Sequence, residues 1–393
     1  MKRKIALLIA FATVVAACGG TSTDSTAAPG TTVGATPTTA ASPDTTAAAS
    51  DTTVAADPMA DLVAAAEAEG MLTTIALPHD WCNYGAVIDG FKAKYPGIEV
   101  NELVPDAGSA DEIEAIKANQ NNPGPQAPDV IDVGLAFGPS SKADGLIQPY
   151  KVSTWDSIPD DAKDAEGYWY GDYYGVLAFE VNTAVQPDVP ADWADLLDPK
   201  YNGQIALAGD PRASNQAIFS VYASALGNGG SLDDAQPGLD FFAQLNAAGN
   251  LVPLIAESGT VASGETPVTI RWTYNALANR DENGDSIQVV VPATGRFGGV
   301  YVQAISAYAP HPNAAKLWME YLYSDEGQLG WLSGYCNPIR YEDMAARGVV
   351  PADLAAKLPD TVGAVFPTIE QIETAKALIV DGWDSTVGLN VGG

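Results

Sequence analysis

Apolar positions along this chain follow two alternating rhythms. From residue 59 onward, short apolar runs of strand length alternate with stretches where apolar residues recur every three or four positions. A first helix is predicted over 61–69, stopped by Gly70, and a buried strand over 71–77. Val87, Ile88 and Phe91 give 85–95 a helical spacing, and Pro96-Gly97 then breaks the chain. A strand at 98–104, a helix at 110–119 and a strand at 129–134 follow. Further on, strands are predicted at 175–181, 203–207, 267–272, 287–291 and 300–308. Helices are predicted at 191–197, 215–226, 239–247, 312–323 and 325–332, and the acidic C-terminal region reads as mostly helical. This alternation predicts an α/β architecture with a largely parallel sheet.

The first residues break the rhythm. Lys2, Arg3 and Lys4 precede an uncharged apolar run over 5–17. That run is short for a bilayer span, which needs about 20 residues. A basic start, a short apolar stretch and small residues at its end read as a secretory signal over 1–17. Val15-Ala16-Ala17-Cys18-Gly19 looks like a bacterial lipobox, which makes Cys18 the expected lipid-bearing residue. Thr, Ala, Ser, Gly and Pro dominate 18–58, too little apolar surface to offset chain entropy, so this segment is expected to be a disordered tether. About 335 residues then remain, enough for two domains with real cores.

Charge narrows the function. The chain carries 19 basic and 49 acidic residues, a net −30. That disfavours nucleic acid and adsorption to anionic lipid, and mildly attracts cationic solutes. With Cys18 acylated, Cys82 and Cys336 remain as a pair, and an oxidising compartment suggests a disulfide. Gly-x-Ser-x-Gly, His-Glu-x-x-His and P-loop motifs are absent, and there are two histidines. A secreted hydrolase working through paired carboxylates is the alternative from another class. No cofactor and no metal centre is expected.

A series of segments carries a family resemblance. They include Phe91-Lys92-Ala93-Lys94-Tyr95-Pro96-Gly97-Ile98, Pro128-Asp129-Val130 and Gly145-Leu146-Ile147-Gln148-Pro149-Tyr150. Trp193-Ala194-Asp195-Leu196-Leu197-Asp198-Pro199-Lys200-Tyr201-Asn202-Gly203, Ser263-Gly264-Glu265, Pro312-Asn313-Ala314-Ala315-Lys316 and Ser324-Asp325-Glu326-Gly327 follow in order. Together they resemble the solute-binding proteins of ABC transporters, in the branch with spermidine/putrescine-, iron(III)-, thiamine- and aminophosphonate-binding members. The resemblance implies a two-lobed periplasmic-binding-protein fold, type II-like, with a ligand cleft at the hinge. Lobe one would span 59–176 and 300–340, and lobe two 177–299 and 341–393 with the C-terminal helices. It further implies a monomer that is not an enzyme, that passes a small solute to a permease and that meets the membrane through its lipid anchor alone.

The resemblance also points to a site. Trp81 and Tyr84, after the first strand, match aromatic walls of the polyamine binders, and flat rings suit an alkyl chain or a cation. Asp210 is placed to meet an ammonium, and Ser214 or Asn215 to cap a helix whose free amides favour an anionic group. Trp272, Tyr274, Tyr301, Gln303 and Tyr335 complete the expected lining, and a Cys82–Cys336 bond would pin two cleft loops together. Ala213 and Gln303 depart from the pattern, standing where polyamine binders place acids. His79 keeps iron(III) in view, while Ser214, Asn215 and Arg271 would serve a phosphonate or another zwitterion. His311, between two prolines, reads as a surface turn. The first expectation is a small organic cation or zwitterion.

Overall fold

The computed structural model describes residues 57–392. The expected signal, Cys18 and nearly all of the tether lie outside them. Helix α1 (Pro58–Glu69) starts where the Asp57 carboxylate accepts the Met59 amide at 3.0 Å, and ends at Gly70 in the left-handed region, φ 72°. Then come β1 (Met71–Ile75), α2 (Tyr84–Lys94), β2 (Glu99–Leu103), α3 (Ser109–Asn119), β3 (Val130–Gly134), α4 (Phe137–Ala143) and β4 (Ile147–Gln148). Next is β5 (Tyr170–Asn182), a 13-residue strand buried at all but one position.

The second set is β6 (Ile205–Leu207), α5 (Asn215–Gly227), α6 (Gln236–Ala247), β7 (Leu251–Ile255), α7 (Ser258–Ser263), β8 (Val268–Trp272), α8 (Thr273–Asn283) and β9 (Ile287–Val290). Then β10 (Gly298–Ser306) returns to the first set, followed by α9 (Pro312–Leu322), α10 (Asp325–Ser333) and β11 (Asn337–Pro338). The chain finishes with α11 (Tyr341–Ala346), α12 (Ala352–Ala355) and α13 (Ile369–Thr386). The predicted helix at 191–197 is a short 3-10 turn, Trp193–Leu197.

The long strand β5 joins two lobes. Its first half pairs with β10, from Tyr170 opposite Gln303 to Val176 opposite Gly298, and β10 pairs in turn with β3 and β4. From Leu177 onward it pairs instead with β8 and β9. On that side β6 lies parallel between β7 and β8. The sheet is therefore mixed where the alternation predicts a largely parallel one, because β5 and β10 run antiparallel to their neighbours as they cross. Strands β1 and β2 form a separate parallel pair.

One continuous apolar core runs through both lobes, with large aromatic side chains in each. Trp318 and Trp331 are fully buried in the first, and Trp193 and Trp383 in the second. Truncating any one to Ala would cost about 3–5 kcal/mol. The C-terminal segment divides between the lobes. Arg340 and Arg347 pair with Asp325 and Asp343, which holds α11 beside α10 of the first lobe. Helix α13 packs on α5 and α6 of the second. His311, read as a surface turn, instead braces the first lobe. Its ring Nδ1 lies 2.9 Å from the buried Asp129 carboxylate, which also accepts the Thr73 amide of β1 at 2.7 Å.

Candidate functional site

A cleft of about 410 Å³ opens between the lobes. The first lobe contributes Asp80 and Trp81 from the loop after β1, Glu112 of α3, Asp132 of β3 and Tyr301 of β10. The second contributes Asp210, Ser214 and Asn215 from the β6–α5 turn, then Ser258, Arg271 and Asn275. Loops beyond the carboxyl ends of strands are where open α/β sheets bind ligands.

Five of the expected ligand residues line this cleft: Trp81, Asp210, Ser214, Asn215 and Tyr301. Tyr84, Trp272, Tyr274 and Gln303 lie in the core behind it, each at most 1 % exposed. The position of Trp272 follows from strand geometry, since successive side chains point to opposite faces. Arg271 takes the cleft face, and Trp272 turns inward to meet Phe219 edge-on at 6.0 Å. Tyr335 stands apart. It has φ 67°, and its hydroxyl donates to the Asp281 carboxylate of α8, linking the two lobes. A second link runs from the Ser258 hydroxyl to the Asp80 carboxylate at 3.1 Å. Cys82 and Cys336 are joined as a disulfide across 254 residues, with Cα atoms 5.5 Å apart, and the bond ties the Trp81 loop to the Tyr335 segment.

Trp81 is the aromatic face of the cleft. Its indole N–H donates to the Tyr173 hydroxyl at 2.7 Å, and Tyr274 and Tyr301 each meet its ring edge-on at 5.4 Å. Behind it sits a network that the sequence pattern does not reveal. The Tyr173 and Tyr84 hydroxyls donate to Asp132 Oδ2 at 2.7 and 2.9 Å. Glu112 accepts the Asp132 amide at 2.9 Å, and the Gln303 amide donates to Asp172 at 3.1 Å. Glu112, Asp132 and Asp172 are 1 %, 5 % and 0 % exposed. Burial pushes Asp132 up to about 7 and holds Glu112 and Asp172 well above the usual carboxylate range. Neighbouring carboxyls add to the rise in Glu112 and Asp172. Asp172 adjoins Asp132 in this network, and the neighbouring Asp132 carboxyl charge adds to its rise.

The second-lobe charges, by contrast, are matched. Arg212 grips the Asp210 carboxylate through Nε and Nη2, both at 2.8 Å at closest. Arg271 lies 3.2 Å from Glu180, and both are buried. Several polar atoms of the lining remain without hydrogen-bond partners among the described residues: Asn215 Nδ2, both side-chain polar atoms of Asn275, and Arg271 Nε. Buried polar groups nearly always find partners, so these atoms mark where a solute's polar groups would bond. His79 lies outside the lining, largely exposed and 2.6 Å from Glu102. Among the described residues no three His, Cys, Asp or Glu side chains come together to hold a metal ion. Nor is any described helix long and apolar enough to cross a membrane.

The paired lobes, the crossing strands and the polar cleft between them define a solute-binding protein. The sequence pattern of the family described as bacterial extracellular solute-binding protein matches residues 126–358, and the chain belongs to that family. An uncharacterized protein of Haemophilus influenzae is 32 % identical over 245 residues, covering 58 % of this chain and 66 % of that one. A probable ABC transporter periplasmic-binding protein of Sinorhizobium fredii is 29 % identical over 209 residues, covering 51 % and 55 %. The match thus spans less than two thirds of the length of each of these two relatives. Among solved structures, a periplasmic binding protein of Actinobacillus pleuropneumoniae with fructose-6-phosphate bound superposes with a TM-score of 0.63. It is 22 % identical, and the match covers 81 % of this chain and 98 % of that one.

Proposed function

We propose that this chain is the receptor of an ABC importer, held at the outer face of the cell membrane through a lipid on Cys18. Its cleft takes a small organic cation or zwitterion and passes it to the permease without chemical change. One observation carries the choice of solute. Asp80, Asp106, Asp111, Glu112, Asp132 and Glu257 line the cleft beside Asp210, against Arg271 as the one cationic side chain of the lining among the described residues. Arg271 and Asp210 already have partners of opposite sign, so the charge left for a ligand is negative. A sugar phosphate such as the one the Actinobacillus protein holds would bring more negative charge into it. Trp81 and Tyr301 offer ring faces and edges to an alkylammonium.

The unpaired N–H groups of Asn215, Asn275 and Arg271 favour a solute with acceptor groups at its other end, hence a zwitterion over a plain diamine. The lobes close by hinge motion about β5 and β10, burying most of a small solute. Native mass spectrometry of freshly purified protein tests the reading. A retained solute containing a protonated nitrogen is expected, and a retained sugar phosphate or bare ferric ion would contradict it.

A further inference from the structure

We propose that Glu112, Asp132 and Asp172 form a cation subsite at the first-lobe wall of the cleft, where an incoming organic ammonium supplies the counter-charge that these buried carboxyls lack. This rests on the receptor reading and assigns its cationic end to particular residues. Glu112 and Asp132 line the cleft, and Asp172 stands directly behind Asp132. The groups that face Asp132 come from every element around it. They are Glu112 of α3, Tyr84 of α2, Asp172 and Tyr173 of β5, Tyr301 of β10, Tyr274 of α8 and Tyr323 after α9. None is basic. Two tyrosine hydroxyls already occupy Asp132 Oδ2, and among the described residues Oδ1 accepts from no donor.

A buried carboxylate with no counter-charge is unstable unless it keeps a proton or gains a cation. The three carboxyls do not converge as metal ligands do. An ammonium on a flexible alkyl chain, with its stem against Trp81, fits the arrangement better. Independent evidence that the cavity receives a polar ligand comes from the opposite wall. Asn275 is 3 % exposed and lines the same cavity with both of its side-chain polar atoms unpaired. The exchange balances in charge: the ammonium enters with one positive charge, and a proton held by the buried carboxyls leaves for solvent.

The probe is methylammonium chloride, compared with sodium chloride at equal ionic strength, with melting followed at pH 8 and pH 5. Methylammonium is expected to raise the melting temperature at pH 8 beyond the sodium control. Its apparent affinity should weaken by about tenfold for each pH unit below 7, because the proton competes for the site. Asp132→Asn should abolish the methylammonium effect. Glu112→Gln, which leaves the Asp132–Asp172 pair intact, should weaken it while keeping the pH dependence. No shift at pH 8, equal shifts at both pH values, or a full shift in a folded Asp132→Asn protein would overturn the subsite. A protein that retains a nitrogenous solute in native mass spectrometry but ignores methylammonium would lose the subsite and keep the receptor reading.

Discussion

On the second-lobe wall, Asp210 is held by Arg212, and Arg271 by Glu180. On the first-lobe wall, Glu112 and Asp132 face only tyrosines, amides and other carboxyls. The contrast separates two roles. Matched charges fix geometry and present neutral hydrogen-bonding groups, so in the proposed receptor the second lobe would orient a solute. Unmatched charge in a low-dielectric site is what a ligand of opposite sign compensates, so under the proposed cation subsite the first lobe would select it. The disulfide reinforces this division, since both of its cysteines belong to first-lobe segments that reach across to the second.

The largest effect should come from unmatching the second-lobe wall. Arg271→Met leaves Glu180 buried without its cation and should cost about 3–5 kcal/mol in urea unfolding, with Glu180→Gln restoring part of the loss. Next, replacing both Cys82 and Cys336 with Ser should cost about 2–5 kcal/mol by releasing a long loop in the unfolded chain, read by the same titration.

Asp132→Asn should have a smaller effect that depends on pH. The folded state keeps the Asp132 proton up to about 7, whereas the unfolded chain releases it near the ordinary value of 3.8. Its stabilising contribution is therefore complete below pH 4 and lost as the pH rises through 7. The variant should match the wild type at pH 4 and exceed it by about 1 kcal/mol or more at pH 8. An identical pH profile for the two proteins would mean that Asp132 has a cationic partner after all.

Closure can be perturbed without touching any charge. A Cβ on Gly134 of β3 would lie 2.1 Å from Asn215 Cγ of α5, so Gly134→Ala should oppose closing of the lobes. Solute affinity should fall by about 1–3 kcal/mol in calorimetry, with the lobes still folded. Smallest is Asp80→Ala, which removes the bond to Ser258 and should speed solute release by about 1 kcal/mol or less in stopped-flow fluorescence of Trp81.

Much of this architecture was legible in the chain, and the reasons for the rest are physical. Apolar periodicity located β1, α2, β3, α5 and α9 because each buries one face or the whole of a short run. Helix α8 was missed because polar residues dominate it after Tyr274, leaving no apolar stripe. Family likeness led to the Trp81 loop and to the β6–α5 turn, which do line the cleft. It led also to Trp272 and Tyr84, which face the core, because likeness of position does not fix which way a side chain points. The acid cluster had a weak signal of its own: Asp132 interrupts Val130-Ile131 and Val133-Gly134, a lone charge inside a buried strand. Its meeting with Glu112 and Asp172 depends on α3 and β5 packing around β3, which spacing along the chain does not reveal.

The most direct test is a melting series at pH 8 and matched ionic strength with putrescine, choline, glycine betaine, glucose and glucose 6-phosphate. A cation or zwitterion should raise the melting temperature by several degrees, as a ligand well above its Kd does, while glucose and its phosphate leave it unchanged. A larger rise from the sugar or its phosphate, or none from any nitrogenous solute, would contradict the proposed choice of solute.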